Sequence, residues 1–486
     1  MASKAQNDEI IDPNGLDLFR LTMMVITASI CGGIFSLAGD MAAGGANTGA
    51  VIVSWGICFI GVFALMMVFN GLSQARPDLT GGIYAYAAAG FGDYIGFNSA
   101  WGYWISACLS NVSFALLLFS ALGYFFPAFG AGNNLLSIVC ASVFLWFLTA
   151  LVLRGVKEAA GINTIVTLAK LVSLGLFVLS IVLLGKFNVD IFMDNFWGEP
   201  AGPGFGEQVV STMIALVWVF TGIEGAVVIS GRAKYVRDVG RSTALGFAAV
   251  FTLYLIISML SLGIMPREEM AQLATPSMAG ILECAIGPVG AAIVNLGVIL
   301  SLVGAMLGYV IIASETPFEA ARQGSFPLAF AKTNKHDAPV VTVLVSSGIT
   351  QLFLIVSYVA ASTYQFFYSV SVSMILVPYF FSTLYMLVCV VKKDGFENVS
   401  KKMLTFYRVI AVLGFFYSVF LIYAGGLTGM MITTILYAPG ILLYLYGQKE
   451  RGEAMLSKPI EQVVTAAIVI FFVVSVYSIA TGSIVL

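Results

Sequence analysis

The sequence predicts an all-α integral membrane protein of about thirteen transmembrane helices, with two inverted repeats of five spans and with spans one and six broken. Three observations predict it. Of 486 residues, 59% are hydrophobic and only 10% charged, whereas a soluble chain carries about 25% charge. The apolar residues gather into stretches long enough to cross a bilayer. Two of those stretches, five apart, are interrupted by glycines, which is the sequence mark of an inverted-repeat membrane protein with a site near mid-membrane.

The stretches fall at 18–40, 48–72, 96–126, 135–153, 164–185, 209–231, 242–265, 290–316, 340–360, 365–391, 405–427, 429–447 and 460–484. The third is long enough to tilt or to continue beyond the bilayer. Residues 1–17 read as a polar cytoplasmic tail, and no cleavable signal peptide is expected. With the N-terminus cytoplasmic, every Lys and Arg falls on the inside except Lys186 and Arg267, which fall outside, and Lys170, which lies within a span. One mistaken span would swap the sides of every later loop, so this bias supports both the orientation and the count. It places the C-terminus outside. The expected units are repeat one (18–187, spans 1–5), repeat two (209–392, spans 6–10) and peripheral spans 11–13 (404–486).

Span six contains Trp218-Val219-Phe220-Thr221-Gly222-Ile223-Glu224-Gly225. Glycines weaken a helix, and a carboxylate in hydrocarbon is costly. The helix is expected to break here and form part of a binding site; the alternative is a Gly-rich packing face with a buried, protonated Glu224. Span one contains the partner interruption, Ala28-Ser29-Ile30-Cys31-Gly32-Gly33-Ile34-Phe35. A broken helix exposes N–H groups on one half and C=O groups on the other, tolerable in lipid only where something satisfies them. The N–H end suits a carboxylate and the C=O end an ammonium. Two facing breaks would therefore fit the head group of an α-amino acid, with donors from Gly32 and Gly33 and acceptors around Trp218 and Thr221.

Few ionisable residues lie within spans. Glu224 could carry a proton, partner a gate or bind a cationic side chain. Lys170 could snorkel or bond the unwound part of span one, where it would disfavour a sodium ion. Glu315 reads as interfacial or paired, and Asp40 as interfacial. Trp218, Phe220 and Tyr309 are the aromatic candidates for a cationic side chain, against core packing. Asn111 could join helices or face the site. The six cysteines show neither metal-ligand nor disulfide spacing. There is no Walker loop, HExxH or nucleophile elbow, and His336 is the single histidine. No enzyme activity, cofactor, metal ion or nucleic-acid partner is expected.

At these residues the chain resembles the amino acid–polyamine–organocation superfamily, in particular the basic amino acid/polyamine antiporters. The ordered matches are the span-one glycine motif with Ile34-Phe35-Ser36, Gly81-Gly82-Ile83-Tyr84-Ala85-Tyr86, Tyr103-Trp104 with Asn111, Trp218 to Glu224, Ala320-Ala321-Arg322-Gln323-Gly324-Ser325-Phe326-Pro327, and Leu376-Val377-Pro378-Tyr379. Phe91-Gly92-Asp93-Tyr94 and Tyr423-Ala424-Gly425-Gly426-Leu427 look like the arginine/ornithine antiporters. The resemblance implies a LeuT-like fold in a cell (inner) membrane, exchanging a cationic amino acid for its product by alternating access. It implies backbone contacts to substrate at Gly32, Gly33 and near Trp218 and Thr221. Trp218 would be the middle gate, Glu224 would couple site to gate, Asn111 would lie near the substrate side chain and Lys170 would stand in for sodium. Ser29, Cys31, Phe220, Tyr309 and Ser371 complete the expected substrate-binding set, and Tyr103 joins Glu224 and Lys170 in gating or coupling. Partners would be small amino acids and amines and the lipid bilayer, with a homodimer left open. Three departures weaken the expectation of arginine: the family's usual Gly-Ser-Gly-like triplet is Cys31-Gly32-Gly33, so the serine hydroxyl is missing, Ala28 stands for a polar residue and Tyr309 for a tryptophan. Lysine/cadaverine, agmatine/putrescine and histidine/histamine exchange and proton-coupled uptake stay open.

Overall fold

Apolar side chains cover the outside of this molecule as well as its inside. Leu183, Val359, Phe416, Phe471 and Tyr477 are all largely exposed, as expected where the surrounding solvent is hydrocarbon. The computed structural model describes residues 15–79, 82–155, 159–200, 202–222, 234–453 and 455–481. Glu224, with Ile223 and Gly225, lies outside the described residues.

Span one is in three pieces: α1 (Leu18–Ser29), a 3-10 turn (Gly33–Phe35) and α2 (Leu37–Ala43). Asp17 starts α1 by accepting the Arg20 N–H at 2.8 Å, a side-chain N-cap. Next come α3 (Thr48–Ala75), α4 (Ile83–Phe91), α5 (Asp93–Phe125), α6 (Leu135–Arg154), α7 (Ala159–Leu183) and α8 (Val189–Met193). The second half runs through α9 (Phe205–Phe220), α10 (Val236–Ser261), α11 (Arg267–Ala271), α12 (Ser277–Ile286), α13 (Pro288–Arg322), α14 (Val340–Val359) and α15 (Tyr364–Lys392). Then follow α16 (Lys401–Ala424), α17 (Gly426–Arg451) and α18 (Pro459–Ala480).

Among the described residues, ten helices are long and apolar enough to cross a bilayer. The first, fifth and sixth predicted stretches hold α1, α7 and α9, whose described apolar runs are shorter. In span one the shortening is a real interruption. In span six the helix ends at Phe220, with Thr221 extended and Gly222 at φ 98°.

One supersecondary unit occurs twice. Helix α4 stops at Gly92 (φ 93°), and the 33-residue α5 starts from the same glycine. Helix α12 stops at Gly287 (φ 80°), and the 35-residue α13 starts there. A side chain at either position would meet the left-handed penalty, so glycine permits the sharp turn from a short helix into a long one. The long helices α5 and α13 pack against each other, and α15 packs on α5. Helix α5 is buried along most of its length, whereas α18 is almost entirely exposed at the periphery. The broken span one lies within this arrangement, in contact with α7, α9, α10, α12 and α13.

Candidate functional site

The C-terminal end of α1 leaves carbonyls without helical partners. Three come to rest on side chains from distant spans. Lys170 Nζ of α7 donates to the Thr27 carbonyl at 3.0 Å and to the Ile30 carbonyl at 2.6 Å. The Tyr254 hydroxyl of α10 donates to the Ser29 carbonyl at 2.9 Å. Lys170 is 0% exposed, so it does not snorkel. Of the two readings open for it, the structure takes the one that bonds the unwound part of span one.

Beyond Ile30 the chain passes through Cys31 and Gly32 into the 3-10 turn, where Phe35 N–H reaches the Gly32 carbonyl at 3.2 Å and Ser36 N–H the Gly33 carbonyl at 3.1 Å. Among the described residues the N–H groups of Gly32, Gly33 and Ile34 meet no acceptor. Glycine is required here by closeness. A Cβ on Gly33 would lie 2.6 Å from Trp218 Cδ1 and 2.7 Å from Val219 Cγ1, and one on Gly32 would lie 2.6 Å from Leu117 Cδ2. The break of span one and the broken end of α9 therefore face each other in contact.

Trp218 packs its indole onto that break. It stacks on Tyr368 of α15 (centroids 5.6 Å, planes 19° apart) and tilts against Phe114 of α5 at 5.4 Å. Phe114 in turn meets Tyr309 of α13 edge-on at 5.0 Å. This row of rings forms one wall beside Gly32 and Gly33. The indole Nε1 is buried and faces the Tyr364 phenol of α15. The Trp218 carbonyl is already occupied, by the Thr221 N–H at 3.2 Å and the Thr221 hydroxyl at 2.7 Å. Thr221 thus closes the last turn of α9.

The profile of the amino acid permease family matches residues 16–438. This chain belongs to that family. The permease is similar to an arginine/ornithine antiporter of Pseudomonas aeruginosa, at 43% identity over 96% of this chain and 98% of the relative. It is also similar to arginine/agmatine antiporters of Chlamydia abortus (38% identity, 90% of this chain, 91% of the relative) and Chlamydia trachomatis (37%, 88% and 89%). Family and helices together make it an all-α, multi-pass membrane protein and a transporter.

The permease brings Ser29, Cys31, Gly32, Gly33, Trp218, Thr221 and Tyr309 into one neighbourhood. The Cys31 thiol is buried and reaches back to the Thr27 carbonyl at 3.9 Å. Ser29 is buried, and its hydroxyl has no partner among the described residues. Phe220 is placed elsewhere. It turns into a second aromatic cluster with Trp55, Phe247, Phe251 and Tyr254, at centroid distances of 5.6–6.1 Å, and borders the site only through Tyr254.

Asn111, left open between helix joint and site lining, is a joint. Its amide donates to the Met306 carbonyl at 3.1 Å and accepts from the Val310 N–H at 3.2 Å. It enters the hydrogen-bond ladder of α13 next to Tyr309 and sets the position of that ring's helix. Ser371 joins Ser106 and Ser110, its hydroxyl 2.9 Å from each, and ties α15 to α5 one turn from Tyr368. Tyr103 is buried on α5, two turns before Asn111.

Sequence reasoning missed Tyr254, Phe114 and Tyr368, because a Tyr or Phe in a span carries no mark of its partner. It noticed Asp40 but read it as interfacial. In the structure Asp40 Oδ1 accepts from Gln365 Nε2 at 3.3 Å, and the phenols of Tyr364 and Tyr368 face the carboxylate.

Proposed function

We propose that this permease is a secondary exchanger that imports a cationic amino acid and exports its metabolic product, with arginine and ornithine as the pair. The relatives' names support the pair. The geometry supports the mode of binding. The observation that carries it is the cluster of unpaired N–H groups at Gly32, Gly33 and Ile34 with the Trp218 indole laid over them. Such donors in a dry site favour a carboxylate, and the substrate α-carboxylate supplies one. The α-amine would take carbonyls at the end of α9 other than that of Trp218, which Thr221 occupies.

Transport would alternate access by rocking the broken spans against a scaffold that includes α5 and α13, with Trp218 moving off the break when the path opens. The repeated unit of short helix, glycine and long helix supports two inverted repeats, residues 18–187 and 209–392. The charge bias supports a cytoplasmic N-terminus in an inner membrane crossed thirteen times. Lys170 holds the carbonyls that a sodium ion would need, so coupling runs through the counter-substrate. The test is counterflow in proteoliposomes. Labelled arginine outside accumulates in vesicles loaded with ornithine and not in empty ones. Equal uptake into empty vesicles refutes obligatory exchange, and uptake driven by a pH gradient without internal substrate turns the reading to proton-coupled permeation.

A further inference from the structure

Asp40 has no counter-ion. Among the described residues no Lys, Arg or His pairs with its carboxylate; what faces it is Gln365, Tyr364 and Tyr368. A half-buried carboxylate without a cation is costly in an apolar protein. Its setting is a built one. The backbone of α2 is fastened to α12, with Gly39 N–H donating to Ser277 Oγ and Ser277 Oγ donating to the Ser36 carbonyl, each at 3.1 Å. Gln365 Nε2 is shared between Asp40 and Thr275 Oγ1, the latter at 3.2 Å. Helix α15 thus supplies the groups that face the carboxylate, and α12 holds the backbone of α2 beside it.

Aromatic faces complete the surroundings. Tyr364 and Tyr368 lie with centroids 5.1 Å apart, and Tyr368 is the ring that stacks on Trp218. The Tyr364 phenol that faces Asp40 also faces Ser36 and Trp218, so the carboxylate is linked through it to the indole at the break. What faces the carboxylate is an amide and two phenols with no cation among the described residues, so the arrangement points to a positively charged visitor. Carboxylate oxygens suit the fork of a guanidinium or the donors of an ammonium, and phenol faces attract either cation.

We propose that Asp40, Tyr364 and Tyr368 form an outer cation subsite that receives the guanidinium or primary ammonium of an entering substrate, before Tyr368 and Trp218 part to admit the head group to the break. This rests on the exchanger reading for its direction of entry. The subsite recognises the cationic end of the substrate and makes no contact with its α-carboxylate, so an amine lacking a carboxylate occupies it as well.

The test compares wild type with Asp40→Asn, which keeps the Gln365 contact and removes the charge. In proteoliposomes the external KM for arginine rises about tenfold, within the range expected for one hydrogen bond to a charged group, while the internal KM stays unchanged. Glu199→Gln, which removes an acidic charge from the outer loops, leaves both constants as they were. Equal rises on both faces, or no rise, overturn the proposal. A second measurement is independent of transport. Agmatine is titrated into purified protein and followed by tryptophan fluorescence, and it binds wild type about tenfold more tightly than Asp40→Asn. Equal binding, or none in wild type, also overturns the proposal. Thermal melting confirms that the variant is folded. Absence of counterflow in wild type together with a charge-dependent agmatine signal would instead refute the exchanger reading and leave the subsite standing.

Discussion

Replacing Lys170 with Met tests the broken helix directly. Met approximates the length of the lysine stem and removes the ammonium, donor and charge together. The Thr27 and Ile30 carbonyls then lose the group that reaches them at 3.0 and 2.6 Å. The Thr27 carbonyl keeps the weak Cys31 thiol contact at 3.9 Å, while the Ile30 carbonyl meets no other donor among the described residues, because α1 has ended and the next N–H groups turn into the 3-10 turn. An orphaned buried acceptor costs about 1–3 kcal/mol, a loss that falls in full on Ile30 and in part on Thr27. Part of this falls on the folded state and part on the alignment of the Gly32–Ile34 donors. The expected outcome is a lower melting temperature in detergent and a counterflow rate at least about tenfold lower, since about 1.4 kcal/mol of binding is a factor of ten. Lys170→Arg serves as the control that keeps a donor but changes its reach. If Lys170→Met melts and transports like wild type, Lys170 does not hold the break.

Other substitutions separate packing from hydrogen bonding. Gly33→Ala places a methyl 2.6 Å from Trp218 Cδ1 and 2.7 Å from Val219 Cγ1; overpacking of this kind costs about 1–3 kcal/mol, and counterflow is lost in protein that still elutes as a folded species on size exclusion. Asn111→Leu behaves differently from Lys170→Met. The two groups it abandons, Met306 C=O and Val310 N–H, are four residues apart and can bond each other in the helix. Its melting temperature therefore changes little, while a competition panel of arginine, ornithine, lysine and agmatine shows an altered preference as Tyr309 shifts. In the loop after α3, the Arg76 guanidinium hydrogen-bonds Asp78 and holds its carboxyl below the ordinary value. A depressed carboxyl contributes stability above its unfolded pKa and loses it as pH falls through the folded one. Amide protection around residues 76–79, corrected for the intrinsic pH dependence of exchange, therefore holds from neutral pH downward and is lost only in acid, below about pH 4; a loss between pH 7 and 5 would contradict the pairing.

Much of the architecture was legible because its causes are local. A stretch of twenty apolar residues needs no partner to declare itself, and the charge bias adds a second, independent reading. The break in span one was legible for the same reason, since Cys31-Gly32-Gly33 lowers helix propensity where it stands. Trp218 and Thr221 were found because they adjoin the second break. Phe220 was drawn into the same set by adjacency alone. A residue two along a helix points roughly 200° away, and that turn carries it into the Trp55–Phe251 cluster.

From the sequence alone came the membrane class, the two interruptions, the orientation expected from the basic residues and the choice of Lys170 as a residue with a task. Tertiary structure decided what each interruption touches. Lys170 meets carbonyls 140 and 143 positions away, and Tyr254 one 225 positions away. Asp40 became a carboxylate faced by two tyrosines instead of an interfacial one, and Asn111 a bracket on α13. The physical reason is one of range. Helix-forming and helix-breaking preferences act within a turn, so they are written in consecutive residues. A buried polar group must find its partner in whichever span packing brings alongside, and that choice exists only once the helices are assembled.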